Sequence, residues 1–244
     1  KVSLTYYENA QLAVAGNMAA PGGIGTIVVA TGGSAGHTSF GHYGSNGNCS
    51  IQMSGGVLVA RAGAGTNGSV ALCEAPELNG ARIAGQVAGG SFTGSPSEFN
   101  ENATAVAIVP DSYTVQNTEL TNGNAADYTI ATATAVVVND STPLSLTAAG
   151  SAVTLNGDLV LINLQYETQV PAFYLGTDVT VSGSGTLTAI GAANKEWSYG
   201  VAGTGSDLSV NGAKIIAIGG PASTNSYGIG ASVNVNVSNN SSVI

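Results

Sequence analysis

The chain has 244 residues, of which only 8% are charged, whereas ordinary globular domains carry roughly 25%. Its net charge is −9 with five Lys and Arg residues, which argues against a nucleic-acid partner because phosphate binding needs clustered cations. Apolar residues make up 43% of the chain, so disorder is not expected. No apolar run approaches the roughly 20 residues that cross a bilayer, so membrane insertion is not expected either.

The first residues, "KVSLTYYENA", contain neither a charged n-region nor an apolar h-region. We therefore expect that any secretion signal has already been removed. Few lysines and many Ser, Thr, Asn and Gly residues are typical of extracellular proteins. The composition predicts a secreted or surface-displayed chain.

A first repeat occurs near the start, where "GTIVVATGG" from Gly25 returns as "GVLVARAGA" from Gly56 at an offset of 31. The two cysteines, Cys49 and Cys73, lie close to one repeat length apart. Neighbouring turns of a repeat structure would bring them within disulfide range, roughly 4.4–6.8 Å between Cα atoms. Two buried free thiols are the alternative. With no CxxC and only two histidines, a zinc site is not expected.

The middle of the chain continues the same alternation with weaker repetition, from "ATAVAIVP" at Ala103 to "FYLGTDVTVSG" at Phe173. Turn signals such as "TNGN" at Thr121 and "LNGD" at Leu155 interrupt it. Period-two alternation predicts short strands. The middle is therefore expected to continue the repeat structure.

The clearest repeats are in residues 178–244. "DVTVSGSGTLTAIGA" from Asp178 aligns with "DLSVNGAKIIAIGG" from Asp207 at an offset of 29, which becomes 28 between Leu187 and Ile215. "NVNVSNNSSVI" from Asn234 follows at an offset of 27. Self-similarity at this period is the signature of stacked repeat units, and a β-sandwich gives no reason for it.

These patterns predict an all-β chain, a single-stranded right-handed parallel β-helix with turns of roughly 28 residues. One elongated domain over residues 1–244 with eight or nine turns is expected, less regular over 1–177. An incomplete last repeat would leave strand edges unpaired, which predicts end-to-end or side-by-side self-association unless the chain continues.

Asp178 and Asp207 occupy equivalent positions of successive repeats. Stacked carboxylates would attract Ca²⁺, which prefers oxygen ligands. The alternative, which we favour, is that each Asp accepts a local hydrogen bond from the backbone at its turn. No other cofactor is expected.

Aromatic residues recur at the same period. Tyr199 and Tyr227 lie one repeat apart, and Glu196 and Trp197 precede the first of them. Stacked aromatic rings on an exposed face would bind sugar rings. For the two tyrosines we favour the alternative of an interior ladder, because each alternates with an aliphatic residue. Trp197 is the better candidate for an exposed contact residue.

The pattern "DVTVSGSGTLTAIGA…SYGV…DLSVNGAKIIAIGG…SYGI" resembles the repeats of bacterial secreted and cell-surface β-helix proteins of the adhesin-like group. The resemblance covers about residues 178–244. It implies placement at the cell surface or outside the cell, and contact with glycans or with host or cell-surface proteins. It transfers no catalytic residue to this chain.

An enzymatic function finds little support, because the fourteen acidic residues are dispersed and form neither DD nor DxD. The expected function is a non-enzymatic extracellular module for adhesion, glycan binding or structural display. The alternative is a polysaccharide-active lyase or glycoside hydrolase on the same fold, with no catalytic residue assigned. A groove that brings two carboxylates, or a carboxylate and a cation, within about 10 Å would favour the enzyme.

Overall fold

The computed structural model describes residues 11–14, 26–32, 39–42, 50–63, 69–122, 127–165, 169–193, 196–220, 222 and 224–244. Within these residues every regular secondary-structure element is a β-strand. The chain forms two compact units, Lys1–Met18 with Ile24–Ser112, and Ala19–Gly23 with Tyr113–Ile244. The single elongated domain stays a prediction.

The first unit combines parallel and antiparallel strands. Its strands are β1 (Gln11–Val14), β2 (Ile27–Thr31), β3 (Ser39–His42), β4 (Ser50–Met53), β5 (Val57–Arg61), β6 (Ser69–Leu72), β7 (Glu77–Leu78), β8 (Ala81–Ala88), β9 (Ser91–Gly94) and β10 (Ala103–Pro110). Parallel pairing joins β1 to β4, β4 to β7, β2 to β5 and β3 to β6. Ile27 faces Val57, so the repeat offset here is 30, one fewer than the sequence predicted.

The antiparallel part of the first unit corrects one expectation. Strand β10, which reads "ATAVAIVP", was predicted to continue the parallel series, but it lies antiparallel between β5 and β8. Strands β8 and β9 form a hairpin through Gly89 and Gly90, whose φ angles of 56° and 77° fit a type I′ turn. Alternating apolar residues favour strands of either direction, so the pattern alone could not reveal the reversal.

The second unit is a parallel β-solenoid of about six turns, in which the chain visits three sheets in order on each turn. This confirms the predicted fold class, with fewer turns than the eight or nine expected for the whole chain, because the strands up to Pro110 belong to the first unit, which is partly antiparallel. Sheet 1 contains β11 (Thr114–Gln116), β14 (Thr134–Val138), β17 (Leu159–Asn163), β20 (Thr186–Ile190), β23 (Lys214–Ile218) and β26 (Ser242–Val243). Sheet 2 contains β12 (Leu120–Asn122), β15 (Leu144–Leu146), β18 (Phe173–Leu175), β21 (Trp197–Gly203) and β24 (Asn225–Ile229). Sheet 3 contains β13 (Tyr128–Ile130), β16 (Ser151–Leu155), β19 (Val179–Gly183), β22 (Ser206–Asn211) and β25 (Val233–Ser238).

The predicted register of the last repeats is confirmed. Val179 faces Leu208 at the offset of 29, and Leu187 faces Ile215 at the offset of 28. Asp207 faces Asn234 at the offset of 27. The first turn is shorter, since Thr114 faces Thr134. Repetition in the sequence is therefore strongest where the turns have a nearly constant length.

The solenoid interior is filled by ladders of apolar side chains. In sheet 2 the ladder contains Leu144, Phe173 and Val201, none of which has any exposed surface, followed by the partly buried Ile229. Each fully buried side chain of this size contributes roughly 1.5–3 kcal/mol to stability. Because no single turn can bury its ladder position, the turns are stable only when stacked. At the last turn Val237 is 50% exposed, and self-association at this edge stays a prediction.

The three strands β14, β17 and β20 of sheet 1 are buried on both faces. Every residue of β14, β17 and β20 is buried, including Val137, Ile162 and Ile190, which lie outside the interior cluster. This explains why β14 and β17 read as nearly continuous apolar runs, whereas β20 buries two threonines, Thr186 and Thr188. The outer faces of β14, β17 and β20 are therefore closed to a ligand.

Tyr113 links the first turn of the solenoid to the third. It is buried, and its hydroxyl donates to Oδ2 of Asp158 at 3.5 Å. Burial raises the pKa of Tyr113 above its ordinary value of about 10, and the charge of Asp158 and the hydrogen bond raise it further. Oδ1 of Asp158 accepts from the backbone N–H of Thr186 at 2.8 Å. The neutral phenol of Tyr113 is thus the form that the fold favours.

Stability is expected to fall at alkaline pH because of this tyrosine. Its pKa is higher in the folded than in the unfolded chain, so its contribution is complete below about pH 10 and is lost as the pH rises above that value. Urea midpoints measured from about pH 8 to about pH 11.5 should fall less steeply for Tyr113→Phe than for the wild type. Equal slopes for the two proteins would contradict this role of Tyr113.

Candidate functional site

The corner between sheets 1 and 2 varies in length from turn to turn. Its connecting segments are residues 117–119, 139–143, 164–172, 191–196 and 219–224, which range from three to nine residues. The segments at the other two corners contain two to five residues. Binding residues are found more often on variable surface segments that a rigid scaffold positions. This corner is therefore the first place to look for a site.

Glycines at this corner allow two backbone segments to lie in close contact. A Cβ added at Gly191 would collide with the carbonyl oxygen of Tyr199, and one added at Gly219 would lie 2.6 Å from that of Tyr227. Gly228 likewise lies against the carbonyl oxygen of Ala217. The repeated "AIGA…SYGV" and "AIGG…SYGI" thus describe two backbone segments that approach closely at each turn. The glycines are needed for this close contact.

Ser198 anchors the connecting segment of one turn to that of the next. It is 2% exposed, and its hydroxyl donates to the carbonyl oxygen of Ala192 at 2.5 Å and accepts from the N–H of Gly220 at 2.7 Å. The carbonyl oxygen of Glu196 accepts from the N–H groups of Thr224 and Asn225 at 3.0 and 3.1 Å. The backbone on both sides of Trp197 is therefore hydrogen-bonded. Ser198 was not predicted from the sequence. The recurrence of a serine in "WSYG" and, one repeat later, in "NSYG" could have indicated it.

Three aromatic rings meet at this corner. Trp197 is 43% exposed, and its ring contacts that of Tyr199 edge-on, with centroids 6.5 Å apart and planes at 72°. The rings of Tyr199 and Tyr227 are stacked, with centroids 5.4 Å apart and planes at 9°. Burial, and then the neighbouring Tyr227, raise the pKa of Tyr199. The rings form one continuous cluster across two turns.

The two tyrosines are half-buried and do not belong to the interior ladder, which corrects the interpretation favoured from the sequence. The interior positions of these strands are taken by Val201 and Ile229. Ser198 and Val201 are both buried although they are three residues apart, so the alternation of the strand is interrupted between them. Trp197 is exposed, as predicted.

Polar residues from three turns lie at the same corner as the rings. Nε2 of Gln169 donates to Oε2 of Glu196 at 3.4 Å. Asn225 faces Trp197 in the register of sheet 2. Glu196, Gln169 and Asn225 are all exposed. We call the following six residues the aromatic patch: Gln169, Glu196, Trp197, Tyr199, Asn225 and Tyr227.

The two aspartates considered for Ca²⁺ lie at the start of sheet 3. Oδ1 of Asp178 accepts from the backbone N–H of Asp207 at 2.8 Å, and Oδ1 of Asp207 accepts from the side-chain amide of Asn234 at 2.9 Å. Each carboxylate thus bonds to the next turn and not to its own. No group of three or more His, Cys, Asp or Glu side chains that could hold a metal occurs in the part of the chain that the structure describes. Ca²⁺ binding stays a prediction.

The first unit contains an open cavity of about 710 Å³. Glu74, Glu98 and Glu101 line it, and all three are exposed. The buried Gln86 shapes its wall, because its side chain donates to the carbonyl oxygen of Glu98 and accepts from the N–H of Asn100. Glu98 and Glu101 come from the connection between β9 and β10, and Glu74 comes from the connection between β6 and β7.

Cys73, at the edge of the same cavity, is disulfide-bonded. Cys49 lies outside the described residues, so its pairing with Cys73 stays a prediction.

The fold defines the chain as a β-solenoid repeat protein. Comparison with protein-family models, with curated proteins and with solved structures finds no match. Within the described residues there is no helix that is long and apolar enough to cross a membrane. The function must therefore be argued from the geometry of the site.

Proposed function

We propose that this chain is a non-enzymatic extracellular module, secreted or displayed at the cell surface, that binds glycans through the aromatic patch and serves in adhesion or structural display. One observation carries the proposal: the exposed Trp197 lies in edge contact with the stacked pair of Tyr199 and Tyr227 at the variable corner.

The physical support comes from the chemistry of sugars. A pyranose ring presents an apolar face of C–H groups and a rim of hydroxyls. Aromatic rings offer large apolar faces, and amide and carboxylate groups offer hydrogen-bond partners for the rim. The patch contains both kinds of group on neighbouring turns.

Preorganisation of the site also supports binding. The hydrogen bonds of Ser198 and of the carbonyl oxygen of Glu196 hold the backbone around Trp197 before any ligand arrives. A ligand would then lose little affinity to the ordering of the protein. The composition, low in charge and rich in Ser, Thr, Asn and Gly, agrees with an extracellular placement and with the resemblance to adhesin-like repeats.

A polysaccharide-active enzyme is the alternative, and the cavity lined by Glu74, Glu98 and Glu101 is the observation in its favour. Glycoside hydrolysis needs two carboxyl groups that flank the scissile bond. In this alternative, replacing Glu98 or Glu101 with Gln would abolish the release of sugar. Asp178 and Asp207 are also close together, but both are hydrogen-bonded between turns and neither lines the cavity.

A glycan-array screen of the purified chain, with and without Ca²⁺, tests the proposal when the same samples are assayed for released sugar. Saturable binding without sugar release is the expected result. Binding that disappears with EDTA would support the Asp178 and Asp207 pair as a Ca²⁺ site. Release of sugar would favour the enzyme, and the absence of both binding and release would contradict glycan recognition.

A further inference from the structure

The polar groups of the aromatic patch are suited to hydroxyls and not to anions. Gln169 and Asn225 carry neutral amides, each with donors and an acceptor, and Glu196 carries a carboxylate that only accepts when ionised. A sugar hydroxyl is both a donor and an acceptor, so it can bond to any of these groups. No residue of the patch carries a positive charge.

These amides come from the turns on either side of Trp197. Asn225 faces Trp197 from the following turn, and Gln169 belongs to the preceding turn. The hydrogen bond from Gln169 to Glu196 places the first amide beside the segment that bears the indole. One exposed indole is thus accompanied by hydrogen-bonding groups contributed by three turns.

Charge argues against an anionic ligand. The chain carries −9 overall, and Glu196 adds a negative charge at the patch itself. Three of the five cationic residues are described, and none of the three belongs to the patch: Arg61 is on β5, Arg82 on β8 and Lys214 on β23, while Lys1 and Lys195 lie outside the described residues. Recognition of carboxylate or sulfate groups depends on such cations, and like charges brought together at an interface are costly.

Resting on the proposed glycan-binding function, we propose that the patch selects uncharged pyranose sugars. The apolar face of a sugar ring lies on the indole of Trp197, and its hydroxyls bond to Gln169, Asn225 and Glu196. Sugars that carry carboxylate or sulfate groups are rejected.

The single tryptophan makes a direct test available, because Trp197 is the only residue of its kind in the chain and its fluorescence reports on the patch. The full chain is titrated with cellohexaose, mannohexaose and chitohexaose. Cellohexaose and mannohexaose are each compared with the β-1,4-linked uronate hexamer of the same ring configuration. Each uronate carries a charged carboxylate at C6 in place of the neutral hydroxymethyl group. All titrations are repeated at low and high salt, about 20 and about 300 mM NaCl, because only charge-dependent binding responds to screening.

The expected result is a saturable change in emission with at least one neutral hexamer, independent of salt, and at least about tenfold weaker binding of its uronate. Gln169→Ala and Asn225→Ala are each expected to weaken neutral binding by about three- to tenfold, because each removes an exposed hydrogen-bonding group. Asn236→Ala, an exposed amide of β25 in sheet 3, is the matched control and should leave binding unchanged.

Two other outcomes are decisive. A uronate that binds as tightly as its neutral partner, and more weakly at high salt, would overturn the selectivity while leaving glycan binding intact. Lys195→Ala would then show whether that neighbouring cation, which lies outside the described residues, is responsible. If no hexamer changes the emission and calorimetry detects no heat of binding, the proposed function itself fails, and the selectivity fails with it.

Discussion

Replacing Gly191 with alanine is expected to lower the free energy of unfolding by about 3 kcal/mol, because the new Cβ would overlap the backbone carbonyl of Tyr199. A backbone group cannot move aside as the end of a flexible side chain can, so β20 and β21 would have to separate at the corner. The loss is measured by urea unfolding followed by circular dichroism. Trp197 lies close to the corner, so its emission should change even before the chain unfolds.

Gly205→Ala is the matched control for this substitution. Gly205 has a positive φ of 78° but no neighbouring atom within 4 Å of an added Cβ. Its substitution should therefore lower the free energy of unfolding by only roughly 1–2 kcal/mol, the cost of placing an alanine in the left-handed backbone conformation. Gly191 is not among the positive-φ glycines, and its effect comes from the lack of space. A Gly191→Ala protein as stable as the wild type would contradict the close backbone contact between Gly191 and Tyr199.

Replacing Trp197 with alanine is expected to weaken glycan binding by roughly thirtyfold, or about 2 kcal/mol. Aromatic side chains that a ligand covers contribute most of the binding free energy at many binding surfaces. The substitution removes the exposed apolar face and the edge contact with Tyr199. Calorimetry with the best-bound array sugar measures the change, since the variant has no tryptophan left to report on binding.

Stability and binding must be separated in this variant. Because 43% of Trp197 is exposed, the substitution should cost no more than about 1 kcal/mol of folding stability, to be checked by thermal unfolding. Trp197→Phe keeps an apolar face and should recover part of the affinity. A Trp197→Ala protein that binds sugars as the wild type does would move the site away from the aromatic patch.

The fold of the last turns could be predicted because each turn meets the same physical demand. Most interior ladder positions in sheet 3 are filled by an aliphatic residue that faces another one a turn later, as Val181 faces Val210. The repeat offsets were readable for this reason. In the first unit, period-two alternation is shared by parallel and antiparallel pairs, and β10 could not be told apart from a solenoid strand.

The site was predicted only in part. Trp197 and Glu196 were identified by their position beside the repeated tyrosines, but the outward placement of Tyr199 depends on an interruption of the strand alternation near Gly200. Simple alternation placed Tyr199 on the same face as Val201. Gln169 could not be found from local sequence at all, because it reaches Glu196 only when the turns stack.

The variable corner has a consequence for how such a chain can acquire new binding properties. The connecting segment varies between three and nine residues along the solenoid, while Phe173, Val201 and Ile229 continue the same interior ladder. The rest of a segment at this position can therefore be exchanged or lengthened while the glycine that begins it, such as Gly191 or Gly219, and the interior ladder are kept. The exposed side chains of the proposed binding surface and the interior ladder are thus different residues of the same repeat, so one set can change while the other is kept.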